Sequence, residues 1–249
     1  MIKAVFFDID GTLLDHIDHA MPSSTLTALN KLKESGIKVF IATGRPPSKL
    51  DIIKQYFKFD GYLTSNGQYC FNDDKIIYEK YINKQDIKNI YSYINKNNIP
   101  VIFAKIDQNY CNPYLDKTLQ VQKYIRIEDI LNEDIVQLMV YINEEKDQEF
   151  LSYMPHCKSA RWTSQFADII PMDGGKNIGI DQMIKYYKIK LNEVMAFGDG
   201  NNDIDMLKHV GIGVAMGNAN DKVKAISDYV TSDINDDGIY KALEKFKLI

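Results

Sequence analysis

Cysteine is scarce in this chain: Cys70, Cys111 and Cys157 are the only three in 249 residues, widely spaced and without a CxxC pair. An odd number at such spacing argues against a disulfide scaffold or a zinc site and fits a reducing cytosol. A basic excess is missing as well. With 30 Lys and Arg against 34 Asp and Glu the net charge is −4 and the pI about 5.6, so there is no general electrostatic reason to bind nucleic acid. No apolar run is long enough for a membrane span. Asp8 and Asp10 interrupt what would otherwise be the apolar core of a leader. A cytoplasmic protein with neither leader nor membrane partner is therefore expected. Internal repeats and low-complexity segments are also lacking. The remaining composition, 45% hydrophobic and 26% charged, is that of an ordinary globular protein. Its length suits one large domain or two modest ones.

What is present starts at the first strand. Ala4-Val5-Phe6-Phe7 is an unbroken apolar run of the kind found in a central parallel strand buried on both faces. Asp8-Ile9-Asp10-Gly11 follows at once, and marks where the strand opens into the crevice in which α/β sheets bind ligands. Side chains at i and i+2 of extended backbone point the same way, so Asp8 and Asp10 converge on one small volume. Two carboxylates there need a cation or a shared proton, and oxygen ligands suit Mg²⁺. A carboxylate can also attack phosphorus, and Gly11 lets the turn expose amides to an anion. An ordinary Asp/Gly turn is the competing reading, and the rest of the chain decides between them.

The polar loop from Asp15 to Met21, with His16 and His19, completes no recognisable metal set and reads as a solvated loop at the mouth of the site. Ser23 or Ser24 caps a predicted helix carrying Leu26, Leu29 and Leu32 and ending at Gly36. The strand Ile37–Ala42 then runs into Thr43-Gly44-Arg45. This is a βαβ unit, whose right-handed crossover brings Thr43 out on the same edge as Asp8. Thr43 and Gly44 are candidate phosphate ligands, and Arg45 a candidate substrate contact. A helix over 48–57 and a strand at Gly61–Thr64 lead to Ser65-Asn66-Gly67, a hairpin signal, and to paired strands at Tyr69–Phe71 and Lys75–Tyr78. Between residues 82 and 172 the texture changes to helix 84–97, strand 101–105, strand 135–142, helix 144–153 and strands at 160–164 and 167–171. That pattern predicts an α+β domain inserted into the first. The α/β texture resumes from 173: a helix opening at Lys176, a strand at Val194–Phe197 ending in Gly198-Asp199-Gly200-Asn201-Asn202-Asp203, and further alternating elements to the end. The expectation is a doubly wound parallel sheet built from 1–81 and 173–249, with an inserted cap over 82–172.

Chemistry-bearing residues thus end three strands, Asp8 and Asp10, Thr43, and Asp199, Asn202 and Asp203, with Lys176 at a helix start where a cation is unfavourable to the dipole. In this order they resemble the motifs of the haloacid dehalogenase superfamily of aspartate-nucleophile phosphatases. With Ser65-Asn66-Gly67 and the placement of the insert, the chain resembles its Cof-type branch, which carries the large α/β (type IIB) cap. The resemblance covers essentially the whole chain and implies a Mg²⁺-dependent phosphomonoesterase acting through an aspartyl-phosphate on a small phosphorylated metabolite, a sugar phosphate or a phosphorylated cofactor. It implies Asp8 as nucleophile and Asp10 as general acid and base. Mg²⁺ would be held by Asp8, the Asp10 carbonyl and Asp199, with Asp203 at the metal or orienting Lys176. Thr43 and Lys176 would bind the phosphoryl group and Asn202 the phosphate or substrate. A phosphomannomutase-like transferase and a non-hydrolytic phospho-aspartate switch are the alternatives. In the cap, Arg161, Trp162, Tyr110, Tyr114 and Arg126 are candidates to face the substrate. A monomer or homodimer is expected.

Overall fold

The computed structural model describes residues 1–115, 123–124 and 127–249. Arg126 lies outside the described residues. In chain order the elements are β1 (Ala4–Phe7), α1 (Ser23–Glu34), β2 (Lys38–Ala42), α2 (Asp51–Lys54), β3 (Gly61–Thr64), β4 (Tyr69–Phe71) and β5 (Ile76–Glu79). There follow α3 (Lys84–Asn97), β6 (Val101–Ala104), β7 (Asn109–Cys111), β8 (Lys123–Tyr124), α4 (Ile127–Ile130), β9 (Gln137–Val140), α5 (Asp147–Ser152), β10 (Cys157–Ser159) and β11 (Ala167–Pro171). The chain ends with α6 (Lys176–Tyr187), β12 (Val194–Gly198), α7 (Ile204–His209), β13 (Ile212–Ala215), α8 (Asp221–Ile226), β14 (Tyr229–Val230) and α9 (Gly238–Lys245).

Eight strands form one sheet in the order β14-β13-β12-β1-β2-β3-β4-β5, parallel from β14 to β3 and antiparallel at the β4 and β5 edge. The strand order changes direction between β1 and β12, whose carboxyl ends flank a topological switch point. Alternation decides what covers each face. Val5, Phe7, Val39, Ile41, Met195 and Phe197 pack against α1 and α9. Ala4, Phe6, Phe40, Ala42, Val194 and Ala196 face the opposite layer, where Ile180 and Met183 of α6 and Leu207 of α7 meet them. Both faces being dry explains why these strands read as continuous apolar runs. Phe6 stacks on Phe40 at 4.7 Å, and Phe7 on Phe197 at 5.0 Å, knitting neighbouring strands together.

The inserted segment forms its own sheet, β10-β11-β9-β6-β7-β8, antiparallel except where β7 and β8 run parallel. Its pattern is half-buried. Val101, Phe103, Leu138, Val140, Ala167 and Ile169 form a separate core with Ile87, Ile90 and Ile94 of α3 and Phe150 of α5. The alternate residues, Asn109, Gln137, Met139 and Asp168 among them, point to the other face. The fold is thus an α/β parallel-sheet core carrying a separate antiparallel cap. No helix among the described residues is long and apolar enough to cross a membrane.

Several local expectations are corrected. The strand foreseen at 160–164 is a loop; the ladder runs instead through β10, pairing Cys157 with Pro171 and Ser159 with Ile169. Arg161 draws the chain off that ladder, its guanidinium held by Asp147 and by the carbonyls of Ile142, Thr163 and Ser164. The helix over 48–57 shrinks to α2 behind a 3₁₀ turn at Pro47–Lys49, with Ile53 its one buried apolar anchor. Pro22, not a serine, stands at the N-cap of α1, and no side chain caps it. Strands β7 and β8 carried no recognised signal.

Candidate active site

Each candidate group sits where a strand of the parallel sheet ends. β1 delivers Asp8, whose amide still donates to the Phe197 carbonyl of β12 at 3.1 Å. β12 delivers Asp199, and the 3₁₀ turn after it brings Asp203 back, its Oδ2 accepting from the amides of Asp199 and Gly200 at 3.0 and 2.9 Å. Asp8, Asp199 and Asp203 each offer a ligand oxygen, all within 4.8 Å of one another. Thr12, buried, donates to Asp199 Oδ1 at 2.8 Å and fixes its rotation.

Lys176 is the cation of this cluster. It is 1% exposed at the start of α6, and its Nζ donates to Asp8 Oδ1 at 2.7 Å and to Asp203 Oδ1 at 2.6 Å. Burial opposes the ammonium, but Asp203 and Asp8 outweigh burial and hold Lys176 above the ordinary lysine value. Burial pushes Asp8 well above the usual carboxylate value; Lys176 opposes this, while Asp203, Asp199 and Asp10 add to the rise. Asp203 is pushed up by burial too, with Lys176 opposing and Asp199 reinforcing. Three carboxylates against one ammonium leave a surplus of negative charge in a buried space. That donor set, all oxygen and close-spaced, fits a hard divalent cation.

Backbone approach positions the lysine. Gly67, at φ +84°, lies so close to the start of α6 that a Cβ there would stand 2.4 Å from the Gly175 carbonyl oxygen. Replacing Gly67 with alanine therefore adds left-handed strain to a backbone collision. We expect Gly67→Ala to cost about 2–4 kcal/mol in denaturant unfolding and to lower activity by displacing Lys176. Unchanged stability would refute this account of the turn.

Asp10 stands differently from its partner at i−2. Its carboxylate is forked onto Arg45, Nε to Oδ2 and Nη2 to Oδ1, both at 2.7 Å. Its side chain therefore sits outside the three-carboxylate cluster, and Arg45, foreseen as a substrate contact, is committed to Asp10. Thr43 is buried, and its Oγ1 accepts from the Arg45 amide at 3.1 Å. Asn202 donates through Nδ2 to Asn66 Oδ1 at 3.0 Å. Asp8, Asp10, Thr43, Gly44, Arg45, Asp199 and Asn202 line one cavity of about 640 Å³ between core and cap, a size suited to a small ligand. Lys176 lies beneath Asp8 and lines a second cleft.

Sequence reasoning missed several groups. His16 is not merely solvated: it lines the cavity with Nε2 3.4 Å from Asp199 Oδ2, a bond that raises its basicity against the opposing effect of burial. Asn66, read as a hairpin residue, takes positive φ and ties core to cap, donating to Gln137 Oε1 at 2.9 Å and Asp168 Oδ2 at 3.0 Å. The Asn-Gly pair at the end of β3 was the available signal, since Asn is enriched among residues of positive φ. Among the cap candidates, Trp162 lines the cavity. Arg161 is spent on Asp147, Tyr110 packs in the cap core, and the Tyr114 hydroxyl donates to Asn95 at 3.2 Å.

Comparison with known proteins gives one answer. Residues 5–243 match the family of haloacid dehalogenase-like hydrolases. The chain is 31% identical over 255 residues to the putative phosphatase YkrA of Bacillus subtilis, covering 99% of this chain and 98% of that one. It is 26% identical over 262 residues to the 5-amino-6-(5-phospho-D-ribitylamino)uracil phosphatase YitU of the same organism, covering 97% and 96%. Among solved structures it superposes on the sugar phosphatase BT4131, of haloacid dehalogenase subclass IIB, with a TM-score of 0.94 at 39% identity, covering 99% and 100%.

Proposed function

Because the chain belongs to the haloacid dehalogenase-like hydrolases, we propose that it is a Mg²⁺-dependent phosphomonoesterase acting on a small phosphorylated metabolite through an aspartyl-phosphate. The observation that carries this reading is the buried Lys176 held between Asp8 and Asp203, with Asp199 beside them, at the carboxyl ends of β1 and β12. The cap over 82–172 would supply specificity to a catalytic core formed by 1–81 and 173–249.

Lys176 holds Asp8 Oδ1, leaving Oδ2 to attack phosphorus. The bond from phosphorus to the leaving oxygen breaks as the acyl-phosphate bond forms, and Asp10 gives its proton to the departing alkoxide. In the second half Asp10 takes a proton from water, whose oxygen attacks the phosphorus and returns the Asp8 carboxylate. Arg45 occupies both oxygens of Asp10, so the guanidinium has to turn away before Asp10 meets substrate; the dianionic phosphoryl group is the alternative partner that draws it. Thr43 and Lys176 hold the transferring group, and Asn202 borders it. Asp8, Asp199 and the Asp10 carbonyl would hold Mg²⁺, with Asp203 keeping Lys176 and the Asp199 loop in place. When bound, the ion offsets the surplus carboxylate charge and screens the nucleophile from the phosphate.

The test is inorganic phosphate release from a panel of hexose phosphates, nucleotides, FMN, pyridoxal phosphate and p-nitrophenyl phosphate, with Mg²⁺ and with EDTA. We expect release from at least one, reduced by about 10²-fold or more in EDTA. No hydrolysis under either condition, together with stable labelling of Asp8 by acetyl phosphate, would replace this reading with that of a phospho-switch.

A further inference from the structure

Two amide side chains run in series from the cap to the catalytic cavity, and the first sets the direction of the second. Asn66 has a fixed backbone: φ is +55°, its amide donates to the Thr43 carbonyl at 2.9 Å, and its carbonyl accepts from Gln68 Nε2 at 3.1 Å. Its side chain, buried, is fully bonded. Nδ2 spends both hydrogens on the cap, on Gln137 Oε1 at 2.9 Å and Asp168 Oδ2 at 3.0 Å, while Oδ1 accepts from Asn202 Nδ2 at 3.0 Å. An amide turns end for end freely unless a neighbour tells its oxygen from its nitrogen. Gln137, an amide itself, could turn with it. Asp168 cannot: Oδ2 also accepts from the Trp162 indole at 3.3 Å, and a reversed Asn66 would set oxygen against oxygen in a buried space. Burial pushes Asp168 up to about 7, with Asn66, Trp162, Lys176 and Arg161 opposing. A proton taken up there goes to Oδ1, which has no partner, and Oδ2 remains an acceptor in both states.

We infer that Asn66 is a positioning residue: it carries the polarity of the Asp168 carboxyl from the cap to Asn202, so that Asn202 presents an amide hydrogen, and not its oxygen, to the phosphoryl group. This rests on the phosphatase reading and deepens it. Asn202 lines the cavity with Asp8 and Thr43. One Nδ2 hydrogen goes to Asn66, and the other has no acceptor among the described residues. Its Oδ1 lies against Gly200, where an added Cβ would stand 2.6 Å from it. An asparagine without that constraint would offer oxygen as readily as nitrogen, and the oxygen repels a phosphoryl dianion where the N–H binds it. The cap thus acts on the phosphate site through two core amides.

The decisive quantity is the Kd of inorganic phosphate, measured by calorimetry with Mg²⁺ present, in a double-mutant cycle of Asn66 and Asn202. Asn202→Ala is expected to weaken phosphate about tenfold, and Asn66→Gly, which keeps the backbone free to take positive φ, about three- to tenfold. The double variant should bind no more weakly than Asn202→Ala alone, because Asn66 acts through Asn202. A general loosening of the cap would instead persist when Asn202 is absent, and the two losses would multiply. From the cap side, Asp168→Ala should weaken phosphate and Asp168→Asn, which keeps an acceptor oxygen for Asn66, should restore part of the loss; this pair decides the matter should Asn66→Gly fail to fold. The inference is overturned, with the phosphatase reading intact, if wild type hydrolyses phosphate esters but the losses multiply, if Asn66→Gly binds phosphate as wild type does, or if Asp168→Asn restores nothing. If wild type neither binds phosphate nor hydrolyses any ester, both readings fall.

Discussion

Asp8→Asn is expected to reduce phosphate release by about 10⁴-fold or more, because it removes the attacking oxygen and not merely an interaction that assists it. The fold should hold. The introduced amide keeps an oxygen for Lys176 Nζ, which in the wild type lies 2.7 Å from Asp8 Oδ1, and Lys176 retains Asp203. Burial already disfavours the Asp8 charge, so its loss is expected to change unfolding free energy by about 1 kcal/mol or less. Steady-state phosphate release and a denaturant melt of the same preparation check both statements. Activity within tenfold of wild type would remove Asp8 from the nucleophile's role. Activity lost together with the folded baseline would show only that the cluster is structural.

Lys176→Met should have the largest effect on stability. It leaves Asp8 and Asp203 facing each other in a dry space with no ammonium between them. Removing one partner of a buried ionic set costs about 3–5 kcal/mol, far more than the set contributes relative to an apolar replacement of the whole. The pH dependence has a definite sign. Burial raises both carboxyl groups in the fold, and without Lys176 nothing opposes the rise. A carboxyl that binds its proton more tightly folded than unfolded makes stability fall as pH increases through its folded pKa. In EDTA the variant should thus be closer to wild type at pH 5 than at pH 8, and Mg²⁺ at pH 8 should recover part of the deficit by binding the folded carboxylates. Urea unfolding at the two pH values, with and without Mg²⁺, measures this. A variant as stable as wild type at pH 8 in EDTA would contradict the geometry of the buried cluster. Turnover should drop by about 10²-fold or more as well, since a charge contact to the transferring group is lost.

The catalytic half of this molecule was legible because its signals are local. A β-strand has one spare end, and an apolar run that stops at Asp8, Ala42 or Gly198 announces that end in the residues themselves. The crossover rule then places all such ends on one edge without knowledge of any contact. Helix α3 and strand β11 were likewise visible, being long or strongly apolar. The loop at 160–164 was misread as a strand because Arg161 and Trp162 look at home in one, whereas the bonds of Arg161 to Asp147 and to the Ile142 carbonyl form only when separate segments of the cap meet.

Taken alone, then, the sequence determined the α/β core with its inserted cap, the order of the strand-end groups, and the family. The tertiary structure decided which groups touch. It committed Arg45 to Asp10, took the Asp10 side chain out of the carboxylate cluster, brought His16 to Asp199, and set Asn66 as the tie between Asn202 in the core and Gln137 and Asp168 in the cap. The reason is physical. Strand position follows from hydrophobic periodicity along the chain, but a side chain's partner follows from burial and hydrogen-bond demand among distant residues, 136 positions apart for Asn66 and Asn202 and 183 for His16 and Asp199, and no spacing along the chain encodes that demand.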